Sequence, residues 1–116
     1  MNEQFLSRNQ NEIAMVISTF RELQSVREHY VLYLDTNGWE VFDPITSKAV
    51  IRHSFKHLRN LIEDMKELRR AIVNVSCIQF NKSGKPDQVQ SLAIKRLKRY
   101  YTNLEISNLC FYEPKY

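Results

Sequence analysis

Glycine is scarce in this chain, which has only Gly38 and Gly84 among its 116 residues. Walker-type phosphate loops and dinucleotide-binding fingerprints need several glycines, because the backbone must close on a phosphate group. Neither motif is present. The sequence therefore argues against a nucleotide-dependent enzyme of either class and predicts no nucleotide cofactor.

Cysteine and long apolar runs are also rare. Cys77 and Cys110 are too few for a disulfide framework, and their apolar surroundings predict buried thiols. No apolar run approaches the ~20 residues that a membrane-spanning helix needs. The first residues lack the basic and apolar segments of a secretory signal. We therefore expect a cytoplasmic protein without a membrane segment.

The composition predicts one folded domain over residues 1–116. Apolar residues make up 43% of the chain, and six Phe and six Tyr add the large side chains that a core needs. A chain of this length buries enough surface to fold alone.

Charge is divided unequally along the chain. Residues 1–43 hold seven acids and three bases, a net −4, whereas residues 44–116 hold fourteen bases and six acids, a net +8. Four cations occur within five consecutive positions that contain no acid: Lys95, Arg96, Lys98 and Arg99. Such asymmetry points to a polyanionic partner.

The first half of the chain reads as one helix and three strands. A helix that begins at residue 3 or near residue 10 and ends near His29 is predicted by an apolar stripe of Ile13, Val16, Ile17, Phe20 and Leu23. Asn37-Gly38 then predicts a hairpin with a two-residue turn, which places Leu34 opposite Val41. The strands of this part are expected at Tyr30–Leu34, Trp39–Phe42 and Lys48–Arg52.

The second half reads as two helices, each followed by a strand. Ser54 is a plausible N-cap for a helix that runs to about Arg70, and β-branched residues predict a strand at Ile72–Phe80. A third helix is expected from Pro86 to about Asn103, with a last strand at Glu105–Tyr112. The predicted fold is α+β in the order αβββαβαβ, with an antiparallel or mixed five-stranded sheet and three helices mainly on one face.

The third predicted helix carries the basic cluster. At ~100° per residue, Ala93, Leu97 and Leu104 lie on its apolar side, and Lys95 and Arg99 lie nearly opposite them. Leu92 also falls on the basic side, where it is a candidate contact for a partner. The second predicted helix differs, because its acids stand three or four residues from its bases and predict a self-paired surface. These acids are Glu63, Asp64 and Glu67.

Two weaker patterns resemble chemical sites. His53 and His57 have a spacing that helical zinc pairs use, but no general-base Glu lies between them, so no metal is expected. Asp35 and Glu40 would face each other across the hairpin and could hold Mg²⁺. Alternatively, a four-residue loop separates the two acids. An enzyme remains a third hypothesis on these residues alone.

Two functional hypotheses follow. The first is a small non-enzymatic nucleic-acid-binding or regulatory protein that contacts the phosphates of DNA or RNA. Its predicted contacts are Lys95, Arg96, Lys98 and Arg99, helped by Lys82, Lys85, Arg69 and Arg70. A basic surface without a ligand explains the same charge about equally well. The second hypothesis is a protein interaction module (an inhibitor, an adaptor or a homo-oligomer subunit) that uses Tyr33, Phe42 and Leu92.

Overall fold

The computed structural model describes residues 10–76 and 88–108, which form an α+β fold. The α-helices of these residues are α1 (Gln10–Val26), α2 (Leu58–Ser76), α3 (Gln88–Leu97) and α4 (Asn103–Asn108). The strands are β1 (Val31–Leu34), β2 (Trp39–Asp43) and β3 (Lys48–His53), which form one antiparallel sheet in the order β1-β2-β3. A 3₁₀ turn at Phe55–His57 precedes α2. The prediction of five strands and three helices is therefore wrong.

The chain divides into two compact units, and the boundary lies inside α2. The N-terminal unit is Met1–Lys66 and the C-terminal unit is Glu67–Tyr116. The charge asymmetry between the two units is smaller than that between residues 1–43 and 44–116, but it keeps the same sign. The N-terminal unit has eight bases and nine acids, a net −1, and the C-terminal unit has nine bases and four acids, a net +5. The single domain over residues 1–116 stays a prediction.

Helix α1 confirms most of its predicted apolar stripe. Val16, Phe20 and Leu23 are buried, as the three- and four-residue spacing requires. Ile17 departs from the prediction, because it is 40% exposed. The helix ends at Val26, three residues before the expected end near His29.

The hairpin forms where predicted, but its register differs by two residues. Leu34 pairs with Trp39 and Leu32 pairs with Val41, whereas the two-residue turn would have placed Leu34 opposite Val41. Since side chains alternate between faces with a period of two, a shift of two leaves every residue on its predicted face. Trp39 and Val41 are accordingly buried together.

The Asp35 carboxylate explains the longer turn. Its Oδ1 accepts hydrogen bonds from the backbone N–H of Asn37 at 2.7 Å and of Gly38 at 3.0 Å. The Asp35 N–H in turn donates to the Gly38 carbonyl at 3.0 Å. Aspartate side chains commonly close turns in this way. The four-residue loop that the sequence left as an alternative is thus confirmed.

Strand β3 pairs with β2 along its whole length, and a bulge between Val41 and Phe42 interrupts the register. Val50 and Ile51 are buried on this strand. The third predicted strand is therefore confirmed, extended by one residue to His53.

The strand predicted at Ile72–Phe80 is wrong for residues 72–76, which continue α2, and residues 77–80 lie outside the described part. The reason lies in the apolar spacing. The buried positions of α2 continue at helical steps beyond Arg70, through Leu68, Ile72 and Val75. Burial along one helix face stabilises the helix more than the β-propensity of these side chains opposes it.

The strand predicted at Glu105–Tyr112 is also wrong for residues 105–108, which belong to α4, and residues 109–112 are not described. A capping box starts this helix. The Thr102 Oγ1 accepts the Glu105 N–H at 3.1 Å, and the Glu105 Oε1 accepts the Thr102 N–H at 2.8 Å. Helix α3 ends at Leu97 instead of continuing to Asn103, where α4 begins.

Candidate functional site

The basic segment lies at the end of α3, and the apolar side predicted for it is buried at Ala93 and Leu97 but not at Leu104, which is 71% exposed on α4. Ala93 and Leu97 are buried, whereas Lys95 and Lys98 are exposed and Arg96 is half-buried. Within residues 10–76 and 88–108, no acidic side chain pairs with these three cations. Three positive charges therefore lack a counter-charge among the described side chains.

Arg99 behaves differently from the other three cations. Its Nη1 bonds the Oε1 of Glu67, and the Tyr100 hydroxyl donates to the same oxygen at 2.6 Å. The Arg99 guanidinium also lies 5.5 Å from the centre of the Tyr100 ring. The expectation of four unpaired cations is thus wrong at Arg99. The expected pairing of Glu67 within its own helix is not observed either, because Glu67 contacts a segment 32 residues away.

The end of α3 gives part of the positive charge a structural role. The backbone N–H groups of Tyr100 and Tyr101 both donate to the Leu97 carbonyl at 2.9 Å, which closes the helix with tight turns. Lys95 and Arg96 stand in the last helical turn. Cations there interact favourably with the helix dipole, typically by about 0.3–1 kcal/mol each. A ligand is therefore not required to explain every charge.

The four additional bases predicted to contact phosphate differ in their surroundings. Arg70 is exposed and stands one helical turn after Glu67, so it lies on the same side of α2 as the carboxylate that holds Arg99. Arg69 is half-buried and has interactions of its own. Lys82 and Lys85 lie outside the described residues. Arg70 therefore shares a side of α2 with Glu67, and the two loop lysines remain predictions.

The two histidines do not form a zinc pair. His53 is the last residue of β3, and its Nε2 lies 2.6 Å from the Asp64 Oδ2 on α2. His57 is exposed in the 3₁₀ turn. In the part of the chain that the structure describes, no group of three or more His, Cys, Asp or Glu could hold a metal ion.

The two acids of the hairpin are separated and engaged. Asp35 closes its own loop, and the Glu40 Oε1 accepts a hydrogen bond from the Arg52 Nε at 2.9 Å. Both groups line a shallow cleft of about 300 Å³ at the end of the sheet. Because each carboxylate has a structural partner, the arrangement does not resemble a pair of acids that share a metal ion.

The sheet aromatics form the exposed surface that the interaction hypothesis requires. Tyr33 is 50% exposed and Phe42 is half-buried, and their ring centres lie 5.9 Å apart in an edge-to-face arrangement. Leu92, the third predicted interface residue, is 46% exposed on α3 in the other unit. Tyr33 and Phe42 therefore form one aromatic patch, and Leu92 is not assigned to it.

A buried ion pair between Arg27 and Asp43 was not predicted. Their side chains are 9% and 0% exposed, and the Arg27 Nη2 lies 3.2 Å from the Asp43 Oδ2. The Asp43 Oδ1 also accepts the Ile45 N–H at 2.9 Å, and Arg27 lies over the Tyr30 ring at 5.6 Å. The pair joins the end of α1 to the end of β2. We assign it to the fold, because solvent scarcely reaches either side chain.

Comparisons of the chain with protein-family models, curated proteins and solved structures find no match. None of the helices in the described part has the length and apolar character that crossing a bilayer requires. The function must therefore be argued from the charges and surfaces described above.

Proposed function

We propose that this protein is a small non-enzymatic nucleic-acid-binding or regulatory protein of the cytoplasm. Its C-terminal unit would contact the phosphate backbone of DNA or RNA through Lys95, Arg96 and Lys98. The observation that carries the proposal is the lack of acidic partners for these three cations among the described residues, in a unit of net charge +5.

The exposure of the cations supports this proposal further. Lys95 in the last turn of α3 and Lys98 directly after it are both exposed. Lysines act as mobile point charges toward phosphate, and backbone contact of this kind needs no base-specific geometry. The interaction is therefore expected to depend on charge and to show little sequence preference.

The strength of the interaction follows from the number of contacts. Each neutralised phosphate contributes about −0.9 to the slope of log K against log salt on duplex DNA, so three contacts give a slope of about −3. Arg99 is not counted, because Glu67 already neutralises it. Filter binding of duplex DNA and of single-stranded RNA across a salt series measures this slope.

A pair of charge-matched double variants tests the location of the surface. Lys95→Gln with Lys98→Gln removes two of the proposed contacts, so the slope on DNA should fall to about −1. The control is Lys56→Gln with Arg59→Gln, which removes two exposed bases from the N-terminal unit and should leave the slope near its original value. Equal effects of the two double variants, or no salt-dependent binding by the wild type, would leave only an ordinary basic surface.

Glu67→Gln provides a test with the opposite sign. This variant removes the carboxylate that neutralises Arg99, which raises the net charge of the C-terminal unit by one and should let Arg99 add a phosphate contact. Binding should become tighter, and the slope should become more negative by about 0.9. Weaker binding by a variant that remains folded would contradict the assignment of Arg99 as a neutralised cation.

The alternative function is a protein interaction module, such as an inhibitor, an adaptor or a homo-oligomer subunit. The exposed pair of Tyr33 and Phe42 favours it, because aromatic residues are enriched at the centres of interfaces. A dimer that does not bind DNA at low salt would support this alternative over the nucleic-acid-binding function.

A further inference from the structure

Within residues 10–76 and 88–108, strand β1 forms an open edge of the sheet. It is the outer strand in the order β1-β2-β3, and all four of its residues are apolar or aromatic. Val31, Tyr33 and Leu34 are 37%, 50% and 42% exposed. An apolar edge strand of this kind is a template for pairing with another strand.

The hydrogen bonds of the hairpin show which backbone groups face outward. The Asp35 N–H donates to Gly38, and pair types alternate along an antiparallel ladder. Val31 and Tyr33 therefore bond to β2, whereas the N–H and C=O groups of Leu32 and Leu34 point away from it. Among the described residues, no hydrogen bond reaches these outward groups.

Helix α1 covers this edge only up to Tyr30. The Tyr30 N–H donates to the Arg27 carbonyl at 3.3 Å, and the Tyr30 carbonyl accepts the Gln24 Nε2 at 3.1 Å. The outward groups one step before β1 are thus satisfied within the chain. The protection stops where β1 begins.

The opposite edge of the sheet is protected in the usual ways. Strand β3 carries Lys48 and Arg52, and a bulge lies between β2 and β3. Charged side chains and bulges discourage pairing at sheet edges. Strand β1 has neither, so the sheet has one open edge and one protected edge.

We propose that β1 pairs with β1 of a second copy of this chain. The copies would run antiparallel about a two-fold axis at Tyr33. Leu32 would then exchange both backbone hydrogen bonds with Leu34 of the partner subunit, and Leu34 would do so with Leu32 of the partner subunit. Every outward N–H and C=O group of β1 finds a partner in this register.

The side chains and charges of β1 also favour a second copy of this chain as the partner. Tyr33 would face Tyr33 of the partner subunit in a non-hydrogen-bonded pair, the closer of the two pair types. The adjacent Phe42 extends the contact on each side. Asp35 would lie opposite Val31 of the partner subunit, so no like charges meet. A charged peptide, in contrast, would find no counter-charge on this strand.

The size of the interface sets the expected affinity. Four residues from each copy make it much smaller than a standard specific interface, so we expect a weak dimer. Because the strand carries no charge, the dimer should persist when salt is raised. Association through the oppositely charged ends of the chain would weaken under the same change.

Sedimentation equilibrium of the full chain over a wide concentration range tests the proposal. Tyr33→Lys places two cations opposite each other on the axis and should weaken the dimer at least tenfold. Ile45→Lys is the matched control, since it adds the same charge at a side chain that is 55% exposed on the β2–β3 turn. It should leave the dissociation constant unchanged. Urea unfolding verifies that both variants fold, and Leu34→Lys is a second edge variant if Tyr33→Lys does not.

A cross-link tests the register. Because Tyr33 lies on the proposed axis, Tyr33→Cys should form a 33–33 disulfide on mild oxidation, which peptide mapping separates from links through Cys77 or Cys110. Leu34→Cys should link much less, since its counterpart is Leu32 of the partner subunit. A monomer at all concentrations, or a dimer indifferent to Tyr33→Lys, overturns the proposal. A dimer without the 33–33 link overturns the register.

Discussion

Two valines near the end of α2 distinguish the observed helix from the strand that the sequence predicts there. Residues two apart on a helix are separated by about 200°, and the structure exposes 37% of Val73 while burying Val75 completely. In a strand the two side chains would share one face. Alanine substitutions at these positions should therefore have unequal effects on stability.

The magnitudes follow from the exposure of each side chain. Val75→Ala removes two buried methylene equivalents, worth about 1.6 kcal/mol, and a partly collapsed cavity adds on the order of 1 kcal/mol. The better helix propensity of alanine offsets about 0.5 kcal/mol. We expect a loss of about 2 kcal/mol. Val73→Ala loses roughly 1 kcal/mol of burial before the same offset, so its net loss should be about 0.5 kcal/mol.

Urea unfolding followed by circular dichroism measures both variants. The midpoint should fall clearly for Val75→Ala and slightly for Val73→Ala, with an unchanged slope in each case, since neither substitution alters the surface exposed on unfolding much. Losses that agree within about 0.5 kcal/mol would show that both side chains face the same environment. That result would refute the helix at these residues.

Two further predictions concern the N-terminal unit. Gly38→Ala should cost about 2–4 kcal/mol in urea unfolding, because the added Cβ would lie 2.2 Å from the His53 carbonyl oxygen at a φ of +150°. The control is Asn37→Ala at the exposed neighbouring position, which should cost less than about 1 kcal/mol. Similar losses for both variants would contradict the close approach of Gly38 to the His53 carbonyl oxygen. Arg27→Leu should cost about 3–5 kcal/mol, because the fully buried Asp43 carboxylate loses its cation. Adding Asp43→Asn should restore part of this loss, and a cost of Arg27→Leu below about 1 kcal/mol would argue against a buried pair.

Local patterns predicted the first half of the fold well. The apolar stripe of α1 and the three strands of the hairpin and β3 lie close to their expected positions. The register error at Leu34 came from a side chain, because the Asp35 carboxylate closes a longer loop than Asn37-Gly38 alone would favour. The face on which each strand residue lies was still predicted correctly, because a shift of two residues equals one period of the strand.

The second half was less predictable, because the β-propensity of its branched residues opposes the helical spacing of its apolar residues. Ile72 and Val75 have high β-propensity, but their spacing continues the buried side of α2. The capping box of Thr102 and Glu105 was visible in the sequence and would have indicated the start of α4. At Ile72 and Val75 propensity and periodicity conflicted and periodicity decided the outcome, whereas at α4 the capping box decided it.

The candidate site illustrates a different limit. Spacing along a helix suggested that Glu67 pairs with its neighbours, but its partner Arg99 is 32 residues away in sequence. Such a pair depends on how α2 and the segment after α3 pack, and no local pattern encodes that packing. Amphipathic burial of Ala93 and Leu97 was predictable, because it requires only the period of one helix.

The two proposals depend on different residues and can fail independently. The phosphate contacts belong to the C-terminal unit, whereas the open edge belongs to the N-terminal unit. Tyr33→Lys adds a positive charge but removes none of the proposed phosphate contacts. The variant should therefore bind a duplex too short for two copies at least as tightly as the wild type does. If the dimer exists, a longer duplex would engage two basic units at once and bind more tightly through effective concentration. Loss of that length dependence in Tyr33→Lys, with short-duplex binding retained, would connect the edge strand to nucleic-acid binding through dimerisation alone.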